Sequence, residues 1–524
     1  MSIRVRRSLT ELQDEYMKDN KKPLETVMRA WKGIKELSPD DPHAFFTIGG
    51  YHGEPFRGGG WGSNAYWGGY CNHGNVLFPT WHRIYLLKLE KALQSIPGCK
   101  EVMLPYWDET SPESLANGIP WALTADTFVL DGVSIPNPLK SFVFNRSITD
   151  NLSTDTGDAN DPNYSKPMGY ETVRYPLSGL VGSSAEQAAT TAHNALYPDY
   201  NKNVDILNQN VVAWLSQKVV VGGQSFTPNV HQNYIDCLDA PNYMLFSNYT
   251  SSGQWNNDHN TTIVSLESPH DDIHLAIGGF DAGTSGDFSP IAGANADMGE
   301  NDTAGLDPIF FFHHCFVDYV FWRWQVKHGV TKSFGIDIPE YPGTNTVDSQ
   351  GPTPGVAPNT WLTMESPLAP FTKSAGKFYT SLDSIDIEGQ LGYTYSPASL
   401  DTVSQPVAAA AALAKTVPAK ALHVSGLNRS RIRGSFVIAA YAEVDGKKVL
   451  LGNHGILSRW NVQGCMNCQT HLETKASISL HGLADTALSK ATFSVEVRTR
   501  EQAKPAGLVA KTKQEKPFLR FEVR

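Results

Sequence analysis

Residues 307–324 read Asp-Pro-Ile-Phe-Phe-Phe-His-His-Cys-Phe-Val-Asp-Tyr-Val-Phe-Trp-Arg-Trp. From His313 to Trp324 the run is apolar nearly all round, which predicts a buried helix and not a surface one. Two further stretches share its character. His82-Arg-Ile-Tyr-Leu-Leu-Lys-Leu-Glu-Lys-Ala-Leu93 repeats apolar residues at i, i+3 and i+4 and opens after Pro79. Pro269-His-Asp-Asp-Ile-His-Leu-Ala-Ile277 starts on a proline, as a first helical turn allows, and ends at Gly278-Gly279. Each of the three carries histidine, so the fold class is a mainly α domain, a helical bundle with histidines on buried helices.

The 524-residue chain carries 43 Lys+Arg against 53 Asp+Glu, a net charge of −10. That balance, with no dense basic run, argues against nucleic-acid binding. The longest apolar runs, Ile309–Phe312 and Val407–Ala414, fall far short of the roughly 18–20 residues of a membrane span. The N-terminus has basic residues but no apolar core of a secretory signal, so a cytoplasmic protein is expected, its six cysteines reduced. Whether it forms a homo-oligomer is left open.

Composition changes after residue 395. Ser396 to Lys420 consists of small residues with three prolines and an alanine run, which reads as a flexible linker and a natural protease target. From Ala421 to Arg524 short alternating runs such as Phe436-Val-Ile-Ala-Ala-Tyr and Thr492-Phe-Ser-Val-Glu-Val predict a small β-sandwich, with Lys504–Arg524 as a solvated tail. The expected domains are therefore 1–395, a linker over 396–420, and 421–524.

Sixteen histidines make about 0.5 His-x-x-x-His pairs expected by chance, so His270 and His274 carry weight only in context. The zinc-protease pattern fails there, because Asp271 follows the first histidine where that motif needs Glu. The context is His52 in Tyr-His-Gly-Glu-Pro, His73 in Cys71-Asn-His-Gly, His82, Glu267-Ser-Pro-His270, and the pair His313-His314. Two sets of three imidazoles with few carboxylates suit copper, zinc, iron or nickel and not magnesium or calcium. Cys465-Met-Asn-Cys468 is rarer still, with roughly 0.07 such pairs expected by chance, and soft thiolates favour monovalent copper.

Residues 52–93 and 267–324 together resemble the two copper regions of type-3 copper proteins, most of all the pro-form of fungal, intracellular, melanin-forming tyrosinases. The resemblance runs over nearly the whole chain. It implies two copper ions, one on His52, His73 and His82 and one on His270, His274 and His314, with dioxygen as co-substrate and small phenols as substrates. His313 would then pack behind the site. It further implies a thioether joining Cys71 to His73, Glu267 as the carboxylate holding a catalytic water, and Tyr393-Thr-Tyr395 as the motif closing the catalytic domain against Arg4 or Arg6. Cys465 and Cys468 would load copper inward past Cys71. The C-terminal domain would shield the site until an activating protease cuts the linker, with Ile456 or Leu457 filling the substrate pocket. Asp271 stands where many tyrosinases carry Asn, and with Glu267 would polarise the water; its charge bears on how well monophenols are hydroxylated.

The activity so implied is ortho-hydroxylation of monophenols and oxidation of o-diphenols to o-quinones. Three rivals share part of the pattern. A catechol or o-aminophenol oxidase would lack the hydroxylation step, a haemocyanin-like carrier would bind dioxygen without turnover, and a copper store would need no such catalytic domain. Phe310, Phe311, Phe312, Trp322 and Trp324 read as core, and Cys99, Cys237 and Cys315 as buried thiols.

Overall fold

The computed structural model describes residues 3–524 apart from 56–68, 151–163, 183, 222–223, 282–288, 291–294, 346–355, 375, 406–419, 445, 461, 463–464, 481–489, 500–509 and 512–518. Its first domain is built on three helices that carry the histidines: α1 (Phe78–Ser95), α2 (Glu267–Gly278) and α3 (Ile309–His328). All of α2 is buried, and α3 exposes little beyond Arg323, as its apolar circumference requires. No helix among the described residues is long and apolar enough to cross a membrane.

Helix boundaries follow local chemistry. Asn75 shapes the turn that leads into α1 by accepting from the Leu77 amide at 2.8 Å, and Gly329, at φ 68°, closes α3 in the left-handed conformation of a C-terminal cap. Helix α2 begins two residues before the proline that the sequence suggested as its start. Pro269 lies in the first turn, where no amide has an intrahelical acceptor, so the ring displaces no hydrogen bond.

The ends of this domain meet. Strand β1 (Arg4–Arg6) pairs in parallel with β2 (Tyr393–Tyr395). Between Arg4 and Arg6, it is Arg6 that serves the tyrosine motif: its guanidinium lies 3.7 Å from the centroid of the Tyr393 ring and donates to Tyr395 at 3.1 Å. The same cation pairs with Glu90 on α1 at 3.0 Å and Asp318 on α3 at 3.2 Å, and Arg83 also pairs with Asp318. All four charged groups are buried, so the network braces α1 against α3 from behind the histidines.

Residues 396–405 depart from the free linker expected. Ser399 donates to Asp108, Tyr319 to Asp401 and Arg323 to Ser404, with Leu400 buried. Small residues suit a loop, but these also fit against α3, so the packed chain continues to about residue 405. The alanine run and the rest of the expected linker lie outside the described residues.

The C-terminal domain is the two-sheet β-sandwich expected. Its strands are β3 (Ala421–Asn428), β4 (Phe436–Val444), β5 (Lys447–Ile456), β6 (Glu473–Ser479), β7 (Thr492–Thr499), β8 (Ala510–Lys511) and β9 (Arg520–Val523). The sheet orders are β6-β3-β9 and β5-β4-β7-β8. Strand β9 corrects the reading of the last residues as a solvated tail. It pairs antiparallel with β3, from Leu422 with Val523 to Ser425 with Arg520. One edge strand with polar residues facing out has the composition of a tail.

Candidate metal centre

Six imidazoles converge where α1, α2 and α3 face the loops 51–55 and 69–77. The His52, His73 and His82 rings lie 5.1–5.6 Å apart between centroids. Those of His270, His274 and His314 lie 4.6–5.5 Å apart. The two triads share a wall, since His82 stacks on His314 at 4.4 Å. Close backbone approach sets the His52 turn: a Cβ on Gly49 would stand 2.4 Å from the Gly305 carbonyl, and one on Gly305 2.9 Å from the His52 Cβ.

In four of the six rings an oxygen engages Nδ1. The partners are Asn301 O for His52 (3.2 Å), Phe78 O for His82 (2.8 Å), Met298 O for His274 (2.7 Å) and Asp271 Oδ1 for His270 (2.9 Å). Such a bond fixes the proton on Nδ1 and turns the lone pair of Nε2 inward. The inward atoms His52 Nε2 and His82 Nε2, and both nitrogens of His73, are buried without a hydrogen-bond partner. His314 Nε2 stands 3.1 Å from His270 Nε2 and 3.3 Å from His274 Nε2. Three nitrogens each about 2.0–2.1 Å from one tetrahedral metal stand about 3.3 Å apart, so the spacing fits a shared cation. Burial, with the neighbouring imidazoles, holds these histidines neutral; His82 is lowered to about 3. Buried imidazoles that stay uncharged and unpaired suit a metal.

His313 lies with His270, His274 and His314 in one group whose ligand atoms are within 4.8 Å of one another. Glu109 accepts from its Nδ1 at 2.6 Å and from the Tyr234 hydroxyl at 2.7 Å, and its Nε2 is buried without a hydrogen-bond partner. Glu109, in Trp107-Asp-Glu-Thr, carries no motif and was not legible in sequence.

Glu267 and Asp271 sit one turn apart on α2, both buried. Glu267 accepts from the Gly74 amide (2.7 Å) and the Tyr249 amide (3.2 Å), and burial raises it to about 8. Asp271 departs from its expected role at a water. One oxygen holds the His270 ring and the other accepts from the Leu457 amide at 3.0 Å. Its carboxyl is pushed far up by burial and then by Glu267.

The C-terminal domain reaches the site through residues 455–460, which follow and end β5. The Gly455, Leu457 and Trp460 amides donate to Asp272, Asp271 and Asp302. Of the two candidate pocket-filling residues, Ile456 packs into the sandwich core and Leu457 into the core of the helical domain. Arg459, which sequence did not single out, is buried and donates to Cys71 Sγ at 3.2 Å, to the His52 carbonyl at 3.3 Å and to Asp302 at 3.2 Å. Cys71 is a free buried thiol within 4.8 Å of ligand atoms of His52 and His73. Cys465 and Cys468, expected as thiols, are joined in a disulfide, which their Cα separation of 5.3 Å permits. Cys99, Cys237 and Cys315 are buried and free as expected.

Paired three-histidine centres in a helical domain, covered by a β-sandwich, define the class of dinuclear type-3 copper proteins. A family model described as the common central domain of tyrosinase matches residues 42–327. The chain is 51% identical to a tyrosinase of Hahella sp. (strain CCB-MM4), over 96% of this chain and 93% of that one. It is 40% identical to a tyrosinase of Aspergillus oryzae (strain ATCC 42149 / RIB 40), over 95% and 94%. A solved tyrosinase of Burkholderia thailandensis at low pH superposes with a TM-score of 0.83 at 47% identity, covering 99% of this chain and all of that one. The chain belongs to the tyrosinase family and is a copper oxidase of that family. The likeness reaches bacterial and fungal members alike, with the higher identity to the bacterial ones, so it does not single out the fungal type that the motifs suggested.

Proposed function

We propose that this chain is a latent tyrosinase that hydroxylates monophenols and oxidises o-diphenols to o-quinones once its C-terminal domain is displaced. The observation that carries this is the convergence of six neutral, buried imidazoles beneath residues 455–460. In this reading His52, His73 and His82 hold one copper and His270, His274 and His314 the other. The coppers supply electron exchange with dioxygen. His313, tied to Glu109, orients the wall of the second triad and is not a ligand.

Glu267 acts as the proton acceptor for the incoming phenol. Removing that proton near neutral pH costs about 4 kcal/mol for a free phenol of pKa about 10, and in its ionised form Glu267, raised to about 8 by burial, is the stronger base and narrows the gap between acceptor and phenol. Asp271 holds the His270 tautomer and anchors the covering segment. Leu457 occupies the place of the phenol ring, and Arg459 fastens that segment. Cys71 becomes joined to His73 in a thioether, which fixes that ring. The cysteines of the Cys465/Cys468 pair, once reduced, load copper. An activating protease cuts within residues 406–419, since 396–405 are packed.

Limited proteolysis of the copper-loaded chain tests the reading, with L-tyrosine and L-DOPA as substrates. Negligible turnover before cutting and turnover of both substrates after it is expected. L-DOPA turnover alone would make the protein a catechol oxidase, and equal rates before and after cutting would overturn latency.

A further inference from the structure

Arg459 belongs to the cover, and the groups that receive its cation all belong to the helical domain. They are Asp302 Oδ1 at 3.2 Å, the His52 carbonyl at 3.3 Å and Cys71 Sγ at 3.2 Å. Asp302 and Arg459 are both buried, and Arg459 Nε has no hydrogen-bond partner there. The pocket thus answers one positive charge with three acceptors and leaves part of the guanidinium fork unused. Three donors on a single charge is what an ammonium carries.

Contacts within the helical domain hold the receiving groups in place. The Glu54 amide donates to Asp302 O at 2.9 Å, and Asn301 O engages His52 Nδ1 at 3.2 Å. The approach is close, since a Cβ on Gly53 would stand 2.2 Å from Asp302 O. Lys166, the cation of that domain whose charge reaches Asp302, is paired with Asp297 at 2.7 Å. When the cover leaves, Asp302 therefore loses Arg459 and the Trp460 amide together. A carboxylate so stripped of its partner in a sheltered place favours a new cation.

Leu457 lies two residues before Arg459, in the place of the phenol ring on the reading above. Two residues of chain span at most about 7 Å, the scale of the distance from a phenol ring to an amine on a short side chain. We propose that Asp302 and the His52 carbonyl form, in the opened protein, a subsite for the side-chain ammonium of a cationic phenol. Leu457 and Arg459 together imitate such a substrate in the covered chain. This rests on the latent-tyrosinase reading and names its substrate class: phenols and o-diphenols whose side chain ends in a protonated amine, ahead of those ending in a carboxylate. Joining Cys71 to His73 leaves both oxygens of the subsite in place.

The test uses the copper-loaded chain after limited proteolysis and compares dopamine, catechol and homoprotocatechuate by kcat/KM at low salt. The three share one reacting ring and differ in side-chain charge. Dopamine should exceed homoprotocatechuate by about tenfold or more, chiefly through KM, and the margin should shrink in high salt. Asp302→Asn should lower the ratio of dopamine to catechol about tenfold, and Asp302→Glu should restore part of it. The three-substrate comparison on the unaltered chain decides the matter even if neither variant folds. Equal kcat/KM for the amine and the acid, or a dopamine preference that Asp302→Asn leaves as it was, would overturn the subsite while the oxidase reading stands. No turnover of catechol after cutting would instead bring down the latent-tyrosinase reading, and the subsite with it.

Discussion

His314 and His313 stand side by side on one helix and differ in what their nitrogens face. His314 turns Nε2 toward His270 and His274, whereas Glu109 tethers His313 behind them. His314→Ala should therefore lose one of two coppers, and His313→Ala should keep both, as counted by metal analysis; the reverse count would exchange the two roles. Glu109→Ala strands the His313 Nδ1–H and the Tyr234 hydroxyl in the core, each costing about 1–3 kcal/mol. A loss of about 2–5 kcal/mol in denaturant unfolding is expected, and a loss under 1 kcal/mol would mean that water replaces the carboxylate. The histidine spacing was legible because it repeats with the helix. Glu109 and Arg459 were not, because what gives each its meaning lies hundreds of residues away and leaves no local pattern.

Among the elements, α1 and α3 are held in register by the Arg6, Glu90, Arg83 and Asp318 cluster. Arg83 and Arg6, with two tyrosine hydroxyls, keep the Asp318 carboxyl below its usual range against the opposing effect of burial. A depressed carboxylate contributes stability that is present above its unfolded pKa of about 3.9 and lost as pH falls through the lower folded value. Melting temperature should thus decline below about pH 4, and Asp318→Asn should flatten that decline. At neutral pH the substitution leaves two buried arginines underpaired and should cost about 3–5 kcal/mol in denaturant titration. The helices and the sandwich were readable from periodicity. The packing of 396–405 and the last strand were not, since small or charged residues look alike in a free segment and in a docked one.

At the scale of the whole molecule, backbone amides of 455–460 on three aspartates and the Arg459 cation join cover and centre, with Asn467 on the His73 carbonyl and Arg429 on Tyr249 beside them. Arg459→Ala should raise the activity of the uncut chain, because it removes the cation that ties the segment to Cys71 and Asp302. Activity assays on intact protein, verified by gel, decide this; no change would place the fastening in the contacts that remain, the amides of 455–460 with Arg429 and Asn467. Tyr249 carries the coupling further. Its amide holds Glu267, its hydroxyl accepts from Arg429 at 2.8 Å, and Arg429 also donates to Leu457 O at 3.3 Å. Moving the cover therefore disturbs the support of Glu267 as well as opening the site.

The parallel pairing of residues 4–6 with 393–395 has a bearing on synthesis. A growing chain has no partner for its first strand until nearly four hundred residues have left the ribosome. Until then Arg6 lacks its tyrosine stack, and the helices bearing the histidines lack part of their brace. The brace behind the histidines is thus complete only once residue 395 has emerged, with the sandwich still to follow. The sandwich and its cysteine pair follow residue 395 in the chain, so the segment that covers the centre is made after the strand that completes its brace.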